Sequence, residues 1–254
     1  MKTHNQKYII MALFTVLVFG FSSCEDKQPI DNSPKTGEVN LEFGHVWGLD
    51  MAPFYMNQTY VHPMSKDTLE INLLKYYISN VVLHKNDGST YKVPESYYLI
   101  DPNNNKVRIS GIPTGDYTKV DFLIGVDSLS NFSGLQGGAL NPSNGMFWSW
   151  STGYIFIRVE GTSPQSSTGL FMYHLGGYEA PFIASHSKSM SFGNDILSVN
   201  PSTSPTIHFN VNAAKFWHGP VKLNDLNVIH NISEASTQMS KNFADGFILD
   251  HIHP

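Results

Sequence analysis

The stretch YYISNVVLHKNDGSTYKV, residues 76–93, joins two runs of strand-forming residues through a short polar segment. Tyrosine, isoleucine, valine and threonine are enriched in β-strands. The Asn86-Asp87-Gly88 sequence between the runs is typical of the tight turn of a β-hairpin, because glycine tolerates the backbone angles that such a turn needs. The stretch therefore predicts two antiparallel strands.

Further short strands are predicted on both sides of this hairpin. In VNLEFGHVW, residues 39–47, alternate positions are apolar and share one face with His45. The other predicted strands lie in SYYLID (96–101), VRISGIPTGDYTKVDFLIGV (107–126), YIFIRVEG (154–161), GLFMYHLGG (169–177) and TIHFNV (206–211). Helical signals are confined to NAAKFW (212–217) and ASTQMSKNFADGF (235–247). This spacing predicts an all-β fold, an antiparallel β-sandwich with long loops and one or two short helices.

The beginning of the chain carries an export signal. Lys2 and Lys7 precede an apolar run that is too short for a membrane span of about 20 residues, and Cys24 follows it. The pattern predicts a lipoprotein signal peptide at residues 1–23 with lipid on Cys24; the alternative is an ordinary signal peptide with an incidental cysteine. Residues 24–38 are polar, which predicts a flexible tether. Residues 39–254 show no second linker and are predicted to form one domain.

A lipid-bearing cysteine predicts an extracytoplasmic protein that is attached to a membrane at its N-terminus. The acidic residues directly after Cys24 resemble the surface-export signal of Bacteroidetes lipoproteins. We therefore predict a lipoprotein of the outer membrane or cell surface.

Composition and motifs exclude several functional classes. The net charge is −5 and the sequence has no basic block, so nucleic acid is not predicted as a partner. The signatures of hydrolases, metalloproteases, phosphate-binding loops and dinucleotide-binding folds are absent from the sequence. We therefore predict that the protein is not an enzyme.

Histidines are the candidate metal ligands. Cys24 is the sole cysteine, so once it carries lipid no thiolate remains. Imidazole suits zinc, copper, iron and nickel. His251 and His253 are two residues apart and point the same way in an extended chain, while His45 and His174 stand beside aromatic residues on predicted strands. The alternatives are a hydrogen-bonded interior histidine at 174 and, for Asp250, either a second-shell acceptor for His251 or a solvated acid.

Two tryptophans stand out in NGMFWSWSTGYIFIRVEG, residues 144–161. Trp148 and Trp150 are two residues apart, at the point where a long glycine-containing loop leads into a predicted strand. Long loops of this kind are often functional. The alternative is that both indoles fill one end of the sandwich and have only a structural role.

Several segments together resemble the MbnP-like family of secreted or lipid-anchored bacterial proteins, which are relatives of a methanobactin-associated copper-binding protein. The segments are LKYYISNVVL, GDYTKVDFLIGVDSLSNFSG, GALNPSNGMFWSWSTGYIFIRVEG, YHLGG and FILDHIHP. They occur in the expected order and span residues 39–254. The most specific of them is the block from Gly145 to Phe156, which is followed by His174 in its H-L-G context.

The resemblance implies a β-rich protein that holds copper through histidine nitrogens and through kynurenine, an oxidised tryptophan. It also implies a partner enzyme of di-haem peroxidase type that carries out this oxidation. His45 and His174 lie in matching segments; Trp148 or Trp150 is the candidate for oxidation, and Trp47 competes with them. The cysteines of some relatives are absent here, so the terminal His251 and His253 are candidate substitute ligands.

Three functions follow as hypotheses. The first is copper binding for acquisition or storage. The second is a binding module of an outer-membrane lipoprotein system that holds no metal, in which aromatic packing alone explains the tryptophans. The third is a redox enzyme that uses copper, but the sequence marks no substrate pocket for it.

Overall fold

The structure, a computed structural model, describes residues 35–134, 136–149, 152–219 and 222–254. All of these belong to one compact unit, Pro34–Pro254. The predicted signal peptide, Cys24, nearly all of the tether and Trp150 lie outside the described residues. The first strand begins at Thr36, earlier than the predicted domain boundary at residue 39. Among the described residues, no helix is both long enough and apolar enough to cross a membrane.

Strands dominate the described residues. In chain order they are β1 (Thr36–Trp47), β2 (Ala52–Pro53), β3 (Thr59–Val61), β4 (Thr68–Lys85), β5 (Thr90–Lys92), β6 (Tyr97–Ile100), β7 (Lys106–Pro113), β8 (Gly115–Ile124), β9 (Phe147–Ser149), β10 (Gly153–Tyr154), β11 (Ile157–Thr162), β12 (Leu170–Leu175), β13 (Tyr178–Glu179), β14 (Phe182–Ile183), β15 (His186–Ser191), β16 (Leu197–Val199), β17 (Thr206–Asn212), β18 (Val228–Ile229) and β19 (Phe247–His253). The helices are α1 (Ser128–Phe132), α2 (Glu234–Ala244) and the 3-10 turns Gly138–Leu140, Pro142–Asn144 and Ala213–Trp217.

Two main sheets account for most of these strands. In the small sheet the order is β19-β17-β1, and β1 is flanked on its other side by β2 and β7. The large sheet runs β15-β8-β4-β11-β12-β18, with β3, β5, β6 and β16 added along β4 and β8. Most neighbours are antiparallel, as predicted, but β1–β17 and β12–β18 are parallel. These two pairings join strands far apart in sequence, so no hairpin fixes their direction.

The inner faces of the two sheets meet in an aromatic core. Alternate residues of β1 point inward, and Val39, Leu41 and Phe43 are fully buried. The ring of Phe43 lies 6.3 Å from that of Tyr76 on β4 and 6.1 Å from that of Phe122 on β8, nearly perpendicular to both. Such edge-to-face contacts add to the free energy gained by burial. The predicted all-β sandwich is confirmed.

The predicted hairpin is also present and forms part of the large sheet. β4 and β5 pair antiparallel, with Val82 opposite Lys92, and Gly88 in the turn has a φ of +84°. The predicted helices at the C-terminal end correspond to Ala213–Trp217 and to α2. Asn212 caps the first of these and Ser233 caps the second, each by accepting a backbone N–H.

The segment that contains Trp148 packs on the outer face of the large sheet. We call residues 136–149 and 152–154 the covering segment. Tyr76 faces the small sheet, so its neighbour Tyr77 points the other way. The Tyr77 hydroxyl donates to the Ala139 carbonyl at 3.0 Å, and its ring lies 6.0 Å from that of Tyr154, at 89°. The covering segment therefore buries aromatic surface that the sheet would otherwise expose.

Candidate metal centre

Two histidines meet on the outer face of the large sheet, next to the covering segment. β12 and β18 are parallel, with Met172 opposite Val228 and Tyr173 opposite Ile229. The next residues along the two chains, His174 and His230, are therefore neighbours. Nδ1 of His174 is in direct contact with Nε2 of His230, and the ring centroids are 4.1 Å apart. The parallel pairing thus brings together two nitrogens that are 56 residues apart in sequence.

A carboxylate holds His174 in one orientation. Nε2–H of His174 donates to Oε1 of Glu160, on β11, at 2.7 Å. Arg158 fixes the same oxygen from Nε and from Nη2, both at 2.6 Å. Since Nε2 carries the proton, the lone pair of His174 lies on Nδ1 and faces His230. Metal-binding histidines commonly have this arrangement, in which the other ring nitrogen donates to a carboxylate.

Burial and charge keep His174 neutral and Glu160 ionised, the protonation states that metal binding needs. Burial lowers the pKa of His174, although the hydrogen bond to Glu160 opposes the shift. Burial by itself would raise the pKa of Glu160, but the hydrogen bonds from His174 and Arg158 outweigh it, and the pKa lies below its usual value. At neutral pH, a neutral imidazole therefore stands against an ionised carboxylate.

Trp148 lies close to this pair. Its ring packs on the bare backbone of Gly176, two residues after His174, where an added Cβ would be 2.8 Å from Cζ3 of the indole. The indole Nε1 is buried and has no acceptor among the described residues. Arg158 also ties the covering segment to the pair, because its Nη1 donates to the Gly145 carbonyl at 2.8 Å. Trp148 thus packs on a residue two positions from His174, and the one polar atom of its side chain is unpaired.

An open cleft of about 560 Å³ reaches the carboxylate from solvent. Glu160 lies in its wall with Leu73, Met172 and Val228. The side chain of His174 itself is only 7% exposed, whereas that of Glu160 is 23% exposed. The cleft therefore gives access to the neighbourhood of the pair, in which His174 is shielded from water whereas His230 is exposed.

The four histidines predicted as ligands lie in three places. His174 is in the pair described above. His45 lies in the core, where its Nε2 is 3.2 Å from the Tyr76 hydroxyl. Burial lowers the pKa of His45 to about 4, against a raising effect of Asp101, so its imidazole is neutral and accepts from Tyr76. His251 and His253 lie on β19, at the edge of the small sheet, where both rings are near His208.

The competing tryptophan, Trp47, is packed in the core. Its ring lies 4.9 Å from that of Tyr60, and its Nε1 donates to the Val61 carbonyl at 3.2 Å. Its only polar atom is therefore already paired, in contrast to that of Trp148.

The sequence patterns missed His230, Glu160 and Arg158. Glu160 and Arg158 lie two residues apart on a predicted strand and therefore share one face. Pairing of that strand with the predicted strand of His174 was the signal that could have placed them near this histidine. His230 follows β18, which has only two residues and no strand pattern of its own. Within the described ranges, no group of three or more His, Cys, Asp or Glu side chains is arranged to hold a metal ion. The pair supplies two nitrogen donors, and a further ligand would have to come from another kind of side chain or from solvent.

Comparisons with known proteins agree on one relationship. A family model named MbnP matches residues 36–235, which is more than half of the chain. Among solved structures, MbnP from Methylosinus trichosporium is similar, with a TM-score of 0.53 and 15% identity over 79% of this chain and 83% of that chain. At this identity the structural likeness shows the fold alone. No curated protein sequence matches the chain.

Proposed function

Because the chain belongs to the MbnP family, we propose that it is a lipid-anchored extracytoplasmic protein that binds copper for acquisition or storage. The observation that carries the proposal is the meeting of His174 Nδ1 and His230 Nε2 beside a carboxylate that fixes the tautomer. Imidazole is among the ligands that copper takes in proteins. Copper is the cargo here, so no catalytic reaction is assigned to the chain.

In this proposal, each residue near the pair has a distinct part. His174 and His230 would hold the ion through Nδ1 and Nε2. Glu160 would strengthen His174 as a donor by accepting its other N–H, and Arg158 would hold Glu160 in place. The donor set fits the ion because imidazole nitrogen is a ligand that copper takes, and the two nitrogens that would coordinate it already face each other.

Trp148 is the proposed source of a third ligand. An indole N–H is a donor only and cannot coordinate as it stands. Kynurenine carries an aniline nitrogen with a lone pair. Its formation breaks the C2–C3 double bond of the indole and adds one oxygen atom to each of the two carbons, with two molecules of peroxide reduced to two molecules of water. Hydrolysis of the resulting N-formyl group then releases formate and leaves the aniline nitrogen. The unpaired Nε1 of Trp148 and its packing on Gly176, two residues after His174, support this residue over Trp47.

Peroxide is the oxidant in this step, and the catalyst is a partner enzyme of di-haem peroxidase type, the partner that the family resemblance implies. Trp148 belongs to the covering segment on the outside of the sandwich, and an open cleft lies near the pair. Both features give an external oxidant a surface near the indole. The core position of Trp47 offers no comparable approach, since its side chain is 5% exposed.

The lipid on Cys24 would keep the copper site at the membrane surface. Cys24→Ser should leave the chain unprocessed at the signal peptide, whereas the wild-type chain should be cleaved and should partition into detergent. Equal processing and equal partitioning of the two forms would contradict lipidation.

One experiment tests the copper site and the modification together. Protein purified from the native host is analysed for copper and digested with trypsin. Cleavage after Lys35, Lys66, Lys119 and Arg158 places Trp47 in peptide 36–66, and Trp148 with Trp150 in peptide 120–158. We expect bound copper and a peptide 120–158 that has gained one oxygen atom and lost one carbon atom; fragmentation then assigns the residue. Copper-free protein with intact tryptophans would favour the binding module that holds no metal.

A variant tests whether the copper affinity comes from the histidine pair or from adventitious binding elsewhere on the protein. His230→Ala should lower the copper affinity by at least roughly 10- to 100-fold, the loss that follows even from removing an outer-shell partner. His84→Ala is the control, because His84 is hydrogen-bonded to Asp121 on another part of the large sheet. Equal affinities of the His230 variant and the control would remove the pair from the site.

A further inference from the structure

A second group of histidines lies on the outer face of the small sheet. His208 on β17 stands directly opposite His251 on β19 in the antiparallel register. Their rings are stacked at 4.3 Å and 10°, and the ring of His253 lies 6.3 Å from that of His208. We call His208, His251 and His253 the small-sheet triad. It shares no residue with the pair at His174 and lies on a different sheet.

All three rings have an acceptor near the same nitrogen. Nδ1 of His251 lies 2.9 Å from Oδ2 of Asp250, and Nδ1 of His253 lies 3.1 Å from the Pro254 carbonyl. Nδ1 of His208 faces Oε1 of Glu42 at 3.9 Å. The hydrogen bonds at His251 and His253 favour the tautomer with the proton on Nδ1, which leaves the lone pair on Nε2; at His208 the Glu42 carboxylate lies on the Nδ1 side of the ring, beyond hydrogen-bond distance. A carboxylate or carbonyl behind each imidazole is the usual outer shell of a histidine metal site.

The spacing of the strands suits one ion. Residues directly opposite in an antiparallel pair have Cβ atoms about 4.5–5.5 Å apart, and residues two apart on one strand lie on the same face. Nitrogens that bind one zinc ion at about 2.0–2.1 Å are roughly 3.3 Å apart. As placed, the stacked rings do not converge, and rotation about the side-chain torsions is needed to aim the three Nε2 atoms at one point. The exposure of His251, at 52%, leaves room for this rotation.

We propose that the small-sheet triad binds a divalent transition-metal ion such as Zn²⁺ through the Nε2 atoms of His208, His251 and His253, with water completing the coordination. Three imidazoles and a water form a donor set that zinc takes in proteins. The site is independent of the proposed copper function.

The test uses Co²⁺ as a spectroscopic probe and Zn²⁺ as the competitor. Both are added to a His174→Ala/His230→Ala variant, so that the pair on the large sheet cannot contribute. We expect one Co²⁺ per chain with the intense visible absorption of a four-coordinate ion, displaced by one equivalent of Zn²⁺. A weak spectrum like that of Co²⁺ in water would overturn the proposal, and this result is independent of whether copper binds elsewhere.

A matched pair of variants assigns the ligands. His208→Ala should weaken Zn²⁺ binding by more than roughly 10-fold, because a ligand contributes more than its outer-shell partner. His84→Ala is the control: the side chains of His208 and His84 are both 24% exposed, and each faces a carboxylate. Equal Zn²⁺ affinities of the two variants would remove His208 from the site.

The outer shell has a test of its own. Asp250→Asn keeps an acceptor beside His251 but removes its charge, and it should weaken Zn²⁺ binding by about 10-fold, the lower end of outer-shell effects. No change in affinity would show that Asp250 does not orient a ligand and would contradict the proposed tautomer of His251.

Discussion

The two groups of histidines differ in what orients them. At the His174–His230 pair, a salt bridge, a covering segment and a neighbouring strand hold the rings in direct contact, and His174 is 7% exposed. At the small-sheet triad, register brings the residues together and the acceptors lie beside solvent-exposed rings, with His251 52% exposed. Cross-strand register therefore places histidines on one face, while burial and an outer shell fix which nitrogen is free and where it points.

The first prediction concerns His45, whose pKa burial lowers to about 4 and which should therefore show the largest effect. Because the folded-state pKa is lowered from 6.5 to about 4, the unfolded chain takes up this proton before the folded one does. Stability is therefore full above about pH 6.5 and falls by about 3 kcal/mol as the pH drops to about 4. Urea unfolding across this range should show the loss in the wild type.

His45→Gln, which keeps an acceptor for Tyr76, should unfold with a flatter pH dependence than the wild type. If the variant folds poorly, NMR titration of His45 in the wild type gives the same information. A His45 imidazole that titrates near its ordinary pKa would show that burial does not control this ring.

The second prediction compares the two groups directly. His174→Ala should lower the copper affinity roughly 100-fold, since it removes a shielded donor and leaves its partner alone. His251→Ala should leave copper affinity at the pair unchanged, because His251 lies on the other sheet. Competition titrations measure the copper affinity of each variant. A larger loss from His251→Ala would reverse the assignment of the sites.

The third prediction concerns the indole of Trp148, which packs on Gly176, two residues after His174 of the pair. A Cβ on residue 176 would lie 2.8 Å from Cζ3 of Trp148 and 2.7 Å from the Tyr154 carbonyl. Gly176→Ala should therefore destabilise the fold by about 2 kcal/mol through overpacking and lower the yield of modified tryptophan. Gly137→Ala, in the covering segment with nothing within 4 Å, is the control. Similar unfolding midpoints for both variants would mean that the indole is not packed on Gly176.

The fourth and smallest effect concerns the carboxylates behind the two groups. Glu160→Gln should weaken copper binding about 10-fold, because the amide still accepts from His174 but carries no charge. Glu42→Gln should leave copper binding unaltered and lower the Zn²⁺ affinity of the small-sheet triad. Calorimetry with each metal on each variant separates the effects. Equal responses of both metals to both variants would mean that the carboxylates act on the fold rather than on the sites.

Much of the fold could be predicted from local pattern. Alternation placed His45 on the inner face of β1 with Phe43, and the Asn86-Asp87-Gly88 turn fixed the β4–β5 hairpin. The MbnP-like resemblance, read from sequence blocks, is confirmed by the family model. These features depend on neighbours along the chain, where period and turn chemistry are informative.

The candidate site could be predicted only in part. His174 and Trp148 lie in recognisable blocks, but His230 follows a two-residue strand that pairs in parallel with β12, and no local pattern indicates such a pairing. Grouping His45 with the terminal histidines on the basis of residue type overlooked the fact that β1 turns His45 inward, towards Tyr76.

The strands and their inward and outward faces follow from the alternation of side chains and from turn residues, and the family follows from the sequence blocks. Only the tertiary structure decided which imidazoles meet and which of their nitrogens are free. Those depend on the register between strands far apart in the chain and on hydrogen bonds such as that from His174 to Glu160, neither of which is encoded within a short segment.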